Sequence, residues 1–284
     1  MKKKTKLLAL VSIATVVSLS AISSITYAAL KERQEISENI NSKVNSILNS
    51  LAASGSNIST LSLTEENNNE TYTHSTKTDK TDNSTFYHVD TDNYMIRLEK
   101  DTLDTKAIYG KATNYSINTT CTKDTARDVA NSLYTSLELP TDYELVYLEQ
   151  FDDCLWEANY QKSYNGTYNQ YESVKMIFSP ENSEIAALTV FNDSCDNFSV
   201  QTTVSQESAQ SIALETNKIS SENIENVSLG FARVNNFVDE NKSTSDTSVH
   251  QVWLVKEKKS NNTETTIYVD VNSGEVLGGE TTVW

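Results

Sequence analysis

Hydrophobic and polar residues alternate most clearly near the C-terminus, in Thr265-Thr-Ile-Tyr-Val-Asp-Val-Asn-Ser-Gly-Glu-Val-Leu277. Ile267, Val269 and Val271 occupy every second position, which is typical of a half-buried strand. Asn272-Ser273-Gly274 follows, and Gly274 supplies the positive φ that a tight turn often needs. The segment therefore predicts an antiparallel hairpin whose return strand begins at Glu275.

A different period marks three helices. Over residues 31–52 the apolar residues recur at helical spacing, whereas Glu, Asn and Ser occupy the opposite face. Thr122 is a predicted N-cap, with Asp124 in the first turn, for a second helix that Pro140 ends. Ser205 is the predicted N-cap of a third, shorter helix that contains Ala209 and Ala213.

Strand patterns follow each of the last two helices. Four are predicted after the second helix, near 143–151, 154–163, 171–179 and 184–192. Four more are predicted after the third, near 225–235, 248–258, 264–271 and 275–283. The polar segment 236–247 predicts a flexible loop. In the N-terminal third, a hairpin is predicted over 93–109, and the polar stretch 64–85 indicates an exposed loop or weak edge strands.

The recurring order of one helix and four strands indicates internal repeats. Trp156 and Trp253 both fall in the second strand after their helix, which supports the correspondence. A single amphipathic helix laid on a small antiparallel sheet would bury its apolar face. We therefore predict an α+β fold of tandem modules, each with one helix packed on an antiparallel sheet of about four strands.

This fold prediction divides the chain into four segments. Residues 1–28 are a signal peptide or N-terminal membrane anchor, and 29–115 form a helix-plus-hairpin module, a candidate divergent copy. Residues 116–198 and 199–284 form the two clearer modules. Since only 37% of the residues are hydrophobic, several small cores are favoured over one large core.

The N-terminal segment predicts an extracytoplasmic location. Lys2, Lys3, Lys4 and Lys6 precede an apolar run over 7–25, and small residues precede a cleavage point after Ala28. The alternative is an uncleaved anchor, because the run is nearly long enough to span a bilayer. In both cases the remainder of the chain faces outward, either secreted or attached to the cell surface by residues 7–25.

The charge excludes one large class of partners. The formal net charge is −16, and it becomes more negative when the four lysines of the signal are removed. Such a chain repels phosphate backbones, so nucleic-acid binding is not expected. Contact with a membrane is expected only through an uncleaved N-terminal segment.

The cysteines allow at most one disulfide. Cys121, Cys154 and Cys195 are an odd number in an oxidising compartment, so at least one stays unpaired. The sequence does not determine which pair would form the bond. The sequence has no CxxC pair and no histidine close to a cysteine, so it does not indicate metal binding or thiol catalysis.

The hairpin Ile267-Tyr-Val-Asp-Val-Asn-Ser-Gly-Glu-Val-Leu277 resembles the closing hairpin of PepSY domains. The helix over 205–213 is similar to the opening helix of that family, and Trp253-Leu-Val255 to its middle strand. The resemblance covers residues 203–283, and more loosely 121–192, where Pro180-Glu-Asn-Ser183 replaces the Ser-Gly turn. It implies helix-and-sheet modules related to metallopeptidase propeptides. It also implies a non-catalytic role in inhibiting, escorting or regulating a secreted peptidase or cell-wall hydrolase.

The histidines, serines and carboxylates are the candidates for catalytic residues. The chain contains no HExxH and no Gly-x-Ser-x-Gly motif. His88-Val-Asp90-Thr-Asp92 has the composition of a weak metal site, but we interpret it as a polar turn. Asp152-Asp153 and Asp239-Glu240 are interpreted as solvated charge, and Glu275 as part of its turn. We predict no catalytic, cofactor-binding or metal-binding residues, no cofactor and no enzymatic activity.

Two further groups have competing interpretations. Lys256, Lys258 and Lys259 are interpreted as the charges of a strand edge that avoids pairing with other chains. Trp156 and Trp253 are interpreted as core residues between helix and sheet. The alternative is a platform for cell-wall glycan that also includes Tyr160 and Tyr164. The predicted function is accordingly a binding protein for a secreted peptidase or hydrolase, and the alternative is a glycan-binding module that uses Tyr and Trp faces.

Overall fold

A computed structural model of the chain describes residues 31–54, 74–78, 85–111, 121–153, 155–195, 198–243, 245–259 and 262–283. Its helices are α1 (31–53), α2 (Lys123–Ser136) and α3 (Gln206–Glu215), and a short 3₁₀ turn covers Ser221–Asn223. The strands are β1 (His74–Thr78), β2 (Thr85–Asp90), β3 (Tyr94–Glu99), β4 (Thr105–Gly110), β5 (Tyr143–Gln150), β6 (Trp156–Tyr164), β7 (Thr167–Ser179), β8 (Glu184–Asn192), β9 (Ile224–Arg233), β10 (Val249–Lys259), β11 (Thr263–Asp270) and β12 (Val276–Val283).

The predicted helices are confirmed, together with two of their N-caps. The Thr122 hydroxyl accepts a hydrogen bond from the Thr125 amide at 3.2 Å. The Ser205 hydroxyl accepts the equivalent bond from the Ser208 amide, also at 3.2 Å. Each cap satisfies one of the amides that the first turn of a helix leaves without an intrahelical partner.

The strands form two antiparallel sheets. One has eight strands in the order β1-β2-β3-β4-β8-β7-β6-β5, and the other has four in the order β12-β11-β10-β9. All strands predicted after α2 and α3 are present. In the N-terminal third, β1 is an edge strand within the polar stretch, and β2 is absent from the sequence-based prediction, which begins the first hairpin near Tyr94.

The predicted fold class of tandem modules, each with its own helix and four-stranded sheet, is wrong. Strand β4 pairs antiparallel with β8, with Ala107, Ile108 and Tyr109 opposite Thr189, Leu188 and Ala187. This ladder joins the first four strands to the next four, so what we predicted as two sheets is one. The described chain is mostly antiparallel sheet, eight strands plus four. The residue boundaries proposed for the modules stay a prediction.

The main core lies on one face of the eight-stranded sheet. A continuous row of inward side chains crosses it in register: Val89, Ile96, Ile108, Leu188, Met176, Ala158 and Leu148. Residues of both α1 and α2 belong to the same buried cluster as this row, including Val44, Leu48, Ala130 and Leu133. Both helices therefore cover one face of the sheet, and their C-terminal ends meet where the Ser54 and Ser136 hydroxyls lie 2.7 Å apart.

The C-terminal hairpin forms as predicted. The Asp270 carboxylate accepts hydrogen bonds from the amides of Asn272 and Ser273 at 2.9 and 2.7 Å, and Gly274 has a φ of 74°. The loop predicted to be flexible is fastened to this hairpin, since the Lys242 ammonium contacts the Glu275 carboxylate at 2.7 Å. Long-range partners of this kind leave no local sequence pattern.

The two sheets contact each other beside β7 and β9. Phe231, Val249 and Cys195 form a small buried cluster with Tyr164 and Tyr171. At its border, the Arg233 guanidinium donates to the Asp193 carboxylate at 2.6 Å and lies over the Tyr171 ring at 5.0 Å. The junction therefore combines an apolar centre with an ion pair.

Candidate functional site on the uncovered sheet face

The aromatic residues proposed as a glycan platform do not share an exposed surface. Trp156 and Tyr160 are buried, at 7% and 4% exposure, in the core beneath the helices. The Tyr160 hydroxyl donates to Asn131 at 2.9 Å. The Trp253 indole N–H donates to the Val204 carbonyl at 2.9 Å, which holds the segment before α3. The interpretation as a core residue is confirmed for Trp156, whereas Trp253 is partly buried and packs against the smaller cluster that includes Ala209 and Ala213 of α3.

The segment with His88 and Asp90 is the polar start of a hairpin turn between β2 and β3. The His88 Nε2 atom lies 3.2 Å from the Asp90 carboxylate, which is also 3.3 Å from the Lys111 ammonium. Despite the opposing effect of burial, Lys111 and His88 hold the pKa of Asp90 below its ordinary value. Thr91 and Tyr94 close the turn through two hydrogen bonds of 2.9 and 3.0 Å. The turn interpretation is confirmed.

The other carboxylates singled out in the sequence have local structural contacts. Asp152 accepts a hydrogen bond from the Leu155 amide at 2.8 Å, and Asp239 accepts one from the Asn241 amide at 2.9 Å. Both lie in loops, and each organises its own turn. Glu275 adjoins its turn and forms the ion pair with Lys242 described above.

The interpretation of the lysine cluster as a strand edge is wrong. Lys256, Lys258 and Lys259 lie on β10, which pairs with β9 on one side and β11 on the other. Their ammonium groups lie 3.1, 3.9 and 3.4 Å from the carboxylates of Glu264, Glu225 and Glu257, respectively. The three positive charges are thus matched by carboxylates of the same sheet.

The cysteine prediction is tested only in part, because Cys154 lies outside the described residues. Cys121 and Cys195 are not joined to each other by a disulfide. Cys195 is buried in the junction between the sheets, and burial raises the pKa of the Cys121 thiol.

A buried carboxylate that the sequence pattern did not single out lies near the second sheet. Glu172 is 5% exposed and contacts the Lys162 ammonium at 3.3 Å, the Asn169 amide at 3.0 Å and the Tyr164 hydroxyl. Burial, together with the carboxylates of Glu172 and Asp142, raises the pKa of Tyr143 to about 12. These bonds satisfy Glu172 internally, so the arrangement stabilises an irregular part of β7.

The outward face of the eight-stranded sheet is covered by none of the helices that the structure describes. Its central row crosses seven strands in register: His88, Arg97, Ala107, Thr189, Lys175, Asn159 and Tyr147. Tyr147 is 45% exposed, and Phe191 on the same face is 38% exposed. Alternation along each strand gives this face a mixture of aromatic, aliphatic and charged residues.

A groove of about 560 Å³ lies on this face where β3, β4 and β8 are adjacent. We call it the Arg97 groove, and its walls include Arg97, Glu99, Lys106, Tyr109, Phe191 and Arg233. Residues from β3 and β8 are brought together by the pairing of β4 with β8. Sequence analysis missed this site for that reason.

Arg97 is held in the groove by aromatic rings. Its guanidinium carbon lies 4.9 Å from the centre of the Phe86 ring and 5.3 Å from that of Tyr109. The Nε atom is buried and makes no hydrogen bond within the described structure. Contacts with ring faces fix a guanidinium in place without using its N–H donors.

The remaining charges of the groove are largely matched. The Arg233 guanidinium contacts the Asp193 carboxylate at 2.6 Å, and the Lys106 ammonium lies 3.9 Å from the Glu99 carboxylate. Asp104 is an exposed carboxylate that also contributes to the walls. Three cations and three carboxylates therefore give a groove that is locally neutral on a strongly acidic protein.

Within the described ranges, the structure contains no group of three or more His, Cys, Asp or Glu side chains suited to hold a metal ion. Nor does any described helix combine the length and apolar character needed to cross a bilayer. The apolar run over 7–25, on which the predictions of a signal or anchor depend, lies outside the described residues.

Among the comparisons with known proteins, the one with solved structures finds similarity, and that similarity is distant. No protein-family model matches the chain, and neither does any curated protein. Among solved structures, the chain is similar to the C-terminal domain of YpeB from Bacillus megaterium, with 12% sequence identity and a TM-score of 0.44. The match covers 75% of this chain and 90% of that domain. A likeness at this identity and score transfers no activity, partner or residue role.

Proposed function

We propose that this protein is a non-catalytic, extracytoplasmic binding protein that inhibits, escorts or otherwise regulates a secreted peptidase or cell-wall hydrolase. The observation that carries the proposal is the face of the eight-stranded sheet that none of the described helices covers. Exposed Tyr147 and Phe191, together with Arg97, provide the aromatic and arginine side chains in which protein interfaces are enriched.

Two other features support the proposal. The hairpin at 267–277 resembles that of PepSY domains, which implies regulation of peptidases. Outer strands also offer unpaired backbone groups to a partner, and β5 lies at an end of the larger sheet with Tyr147 and Phe151 exposed at 45% and 57%. A partner would thus find an aromatic surface continuous with a strand edge.

The glycan-binding alternative receives no comparable support. Two of its four residues, Trp156 and Tyr160, lie in the core, and the other two, Trp253 and Tyr164, are partly buried against two different clusters. It is retained as an outcome of the test below.

The test places a photo-crosslinking amino acid at Lys175 and, separately, at Asp128, in the full-length protein expressed in its own cells. Both positions are exposed and charged, but Lys175 lies on the uncovered face and Asp128 on helix α2. We expect a secreted peptidase or wall hydrolase to be captured from Lys175 and not from Asp128. The captured enzyme, once purified, should bind the protein and change its rate of substrate hydrolysis.

Three results would count against the proposal. The first is equal capture from both positions, and the second is a captured enzyme whose activity is unchanged by the protein. The third is sedimentation of the purified protein with isolated peptidoglycan in the absence of any enzyme, which would favour the glycan-binding alternative.

A further inference from the structure

We propose that the Arg97 groove binds a single carboxylate of the partner protein, presented by a peptide segment in which an apolar residue follows the acidic one. This inference rests on the proposed function, because it assigns the chemistry of the partner at the same sheet face.

The contacts of Arg97 distinguish it from the other cations of the groove. The rings of Phe86 and Tyr109 hold the guanidinium, while Lys106 and Arg233 each have a carboxylate within ion-pair distance. Among the cations of the groove, Arg97 is the one with no described carboxylate within ion-pair distance, and its described contacts are with rings. A fixed guanidinium with available in-plane donors is suited to bidentate binding of a carboxylate.

The carboxylates of the groove limit the negative charge of an anion that it can bind. Glu99, Asp104 and Asp193 also contribute to the groove, and the chain as a whole carries a formal charge of −16. A phosphate or a polyanion would meet repulsion from these carboxylates. A single carboxylate adds one negative charge, which Arg97 is placed to match.

The walls beside Arg97 are partly aromatic. Tyr109 and Phe191 contribute aromatic surface to the same groove, and the latter is 38% exposed. Covering this surface with an apolar side chain next to the carboxylate would remove it from water. The preferred ligand is therefore an acidic residue followed by an apolar residue, within a peptide segment.

The test follows the Nε–Hε NMR signal of Arg97 in the full-length protein labelled with ¹⁵N-arginine. The probes are N-acetyl-Ala-Glu-Leu-amide and its uncharged counterpart N-acetyl-Ala-Gln-Leu-amide, each titrated at constant ionic strength. We expect the glutamate peptide to shift the Arg97 signal saturably and to bind roughly tenfold more tightly than the glutamine peptide. The comparison of two peptides on the unmodified protein does not depend on a variant that folds.

Variants add the residue-level control. Arg97→Lys keeps the charge but removes the planar pair of donors, so the preference for the glutamate peptide should fall to about twofold or less, a loss typical of removing bidentate contacts. Lys175→Ala removes another cation of the same face, one that lies 5.8 Å from the Phe191 ring and outside the groove walls. This control variant should retain the preference.

Equal affinity for the two peptides, or no shift of the Arg97 signal by either, would overturn the inference. Crosslinking of an enzyme at Lys175 without any carboxylate preference would leave the proposed function standing and remove this inference alone. A preference for the glutamate peptide without capture of an enzyme at Lys175 would count against the proposed function and leave the carboxylate site standing.

Discussion

Replacing Ile108 with alanine tests whether the eight strands unfold as one cooperative unit. Ile108 is fully buried on β4 and lies between Ile96 of β3 and Leu188 of β8, at the seam that joins the two halves of the sheet. The substitution removes side-chain atoms of β4 between these two neighbours while leaving the backbone ladder intact.

The expected loss follows from the burial of Ile108. Truncation of a fully buried isoleucine to alanine removes roughly 2–2.5 kcal/mol of transfer free energy, at about 0.8 kcal/mol per methylene. The cavity that remains adds to this loss, so the free energy of unfolding should fall by about 3 kcal/mol. Amides that exchange through global unfolding would then lose protection by roughly a hundredfold.

Hydrogen exchange followed by mass spectrometry measures this effect separately in each segment. If the sheet is continuous, peptides from α2 should lose as much protection as peptides from β3, although α2 follows β4 in the chain. The matched control is Ile267→Ala, the same truncation at a fully buried position of the four-stranded sheet. It should reduce the protection of α3 more than that of α2.

An Ile108→Ala protein in which only residues 31–111 exchange faster, with α2 unchanged, would refute the reasoning. That result would mean that the pairing of β4 with β8 contributes little to cooperativity, and that the two halves unfold independently.

Two further predictions concern the four-stranded sheet. Burial opposes the charge of Glu257, but its hydrogen bonds from Ser220 and the Lys259 ammonium lower its pKa from 4.5. The ionised Glu257 carboxylate should thus stabilise the folded state above about pH 4.5. This stabilisation should be lost as the pH falls through the lower pKa that Glu257 has in the folded state. In urea titrations, the stability advantage of the wild type over Glu257→Gln should shrink on acidification, and a pH-independent difference would contradict this. Gly279→Ala places a methyl group 2.4 Å from the Thr266 carbonyl oxygen, so it should destabilise by about 1–3 kcal/mol. If the Gly279→Ala protein kept the thermal midpoint of the wild type, β11 and β12 would have to accommodate the methyl group without loss of stability, which would contradict this prediction.

Local elements of the fold were predictable because their causes are local. The Thr122 and Ser205 caps act within one helical turn, and the alternation of Ile267, Val269 and Val271 reports which side chains are buried on one strand. The turn at Asp270 is likewise specified by hydrogen bonds to the next few residues. Periodicity records these effects directly in the sequence.

The candidate site was not predictable in the same way. Arg97 has an ordinary position in an alternating strand, and its setting depends on Phe86 from β2 and Tyr109 from β4. Phe191 reaches the same groove only because β8 lies beside β4. Conversely, Trp156 and Tyr160 attract attention in the sequence as possible sugar contacts but are buried.

The sequence by itself determined the helices, most of the strands, the turn chemistry and the face of each strand that is buried. The tertiary structure alone decided which strands are neighbours. Alternation specifies two faces for every strand, but backbone hydrogen bonds between strands carry almost no side-chain signature. For that reason the ladder between β4 and β8 turned two predicted sheets into one and assembled the Arg97 groove on its uncovered face.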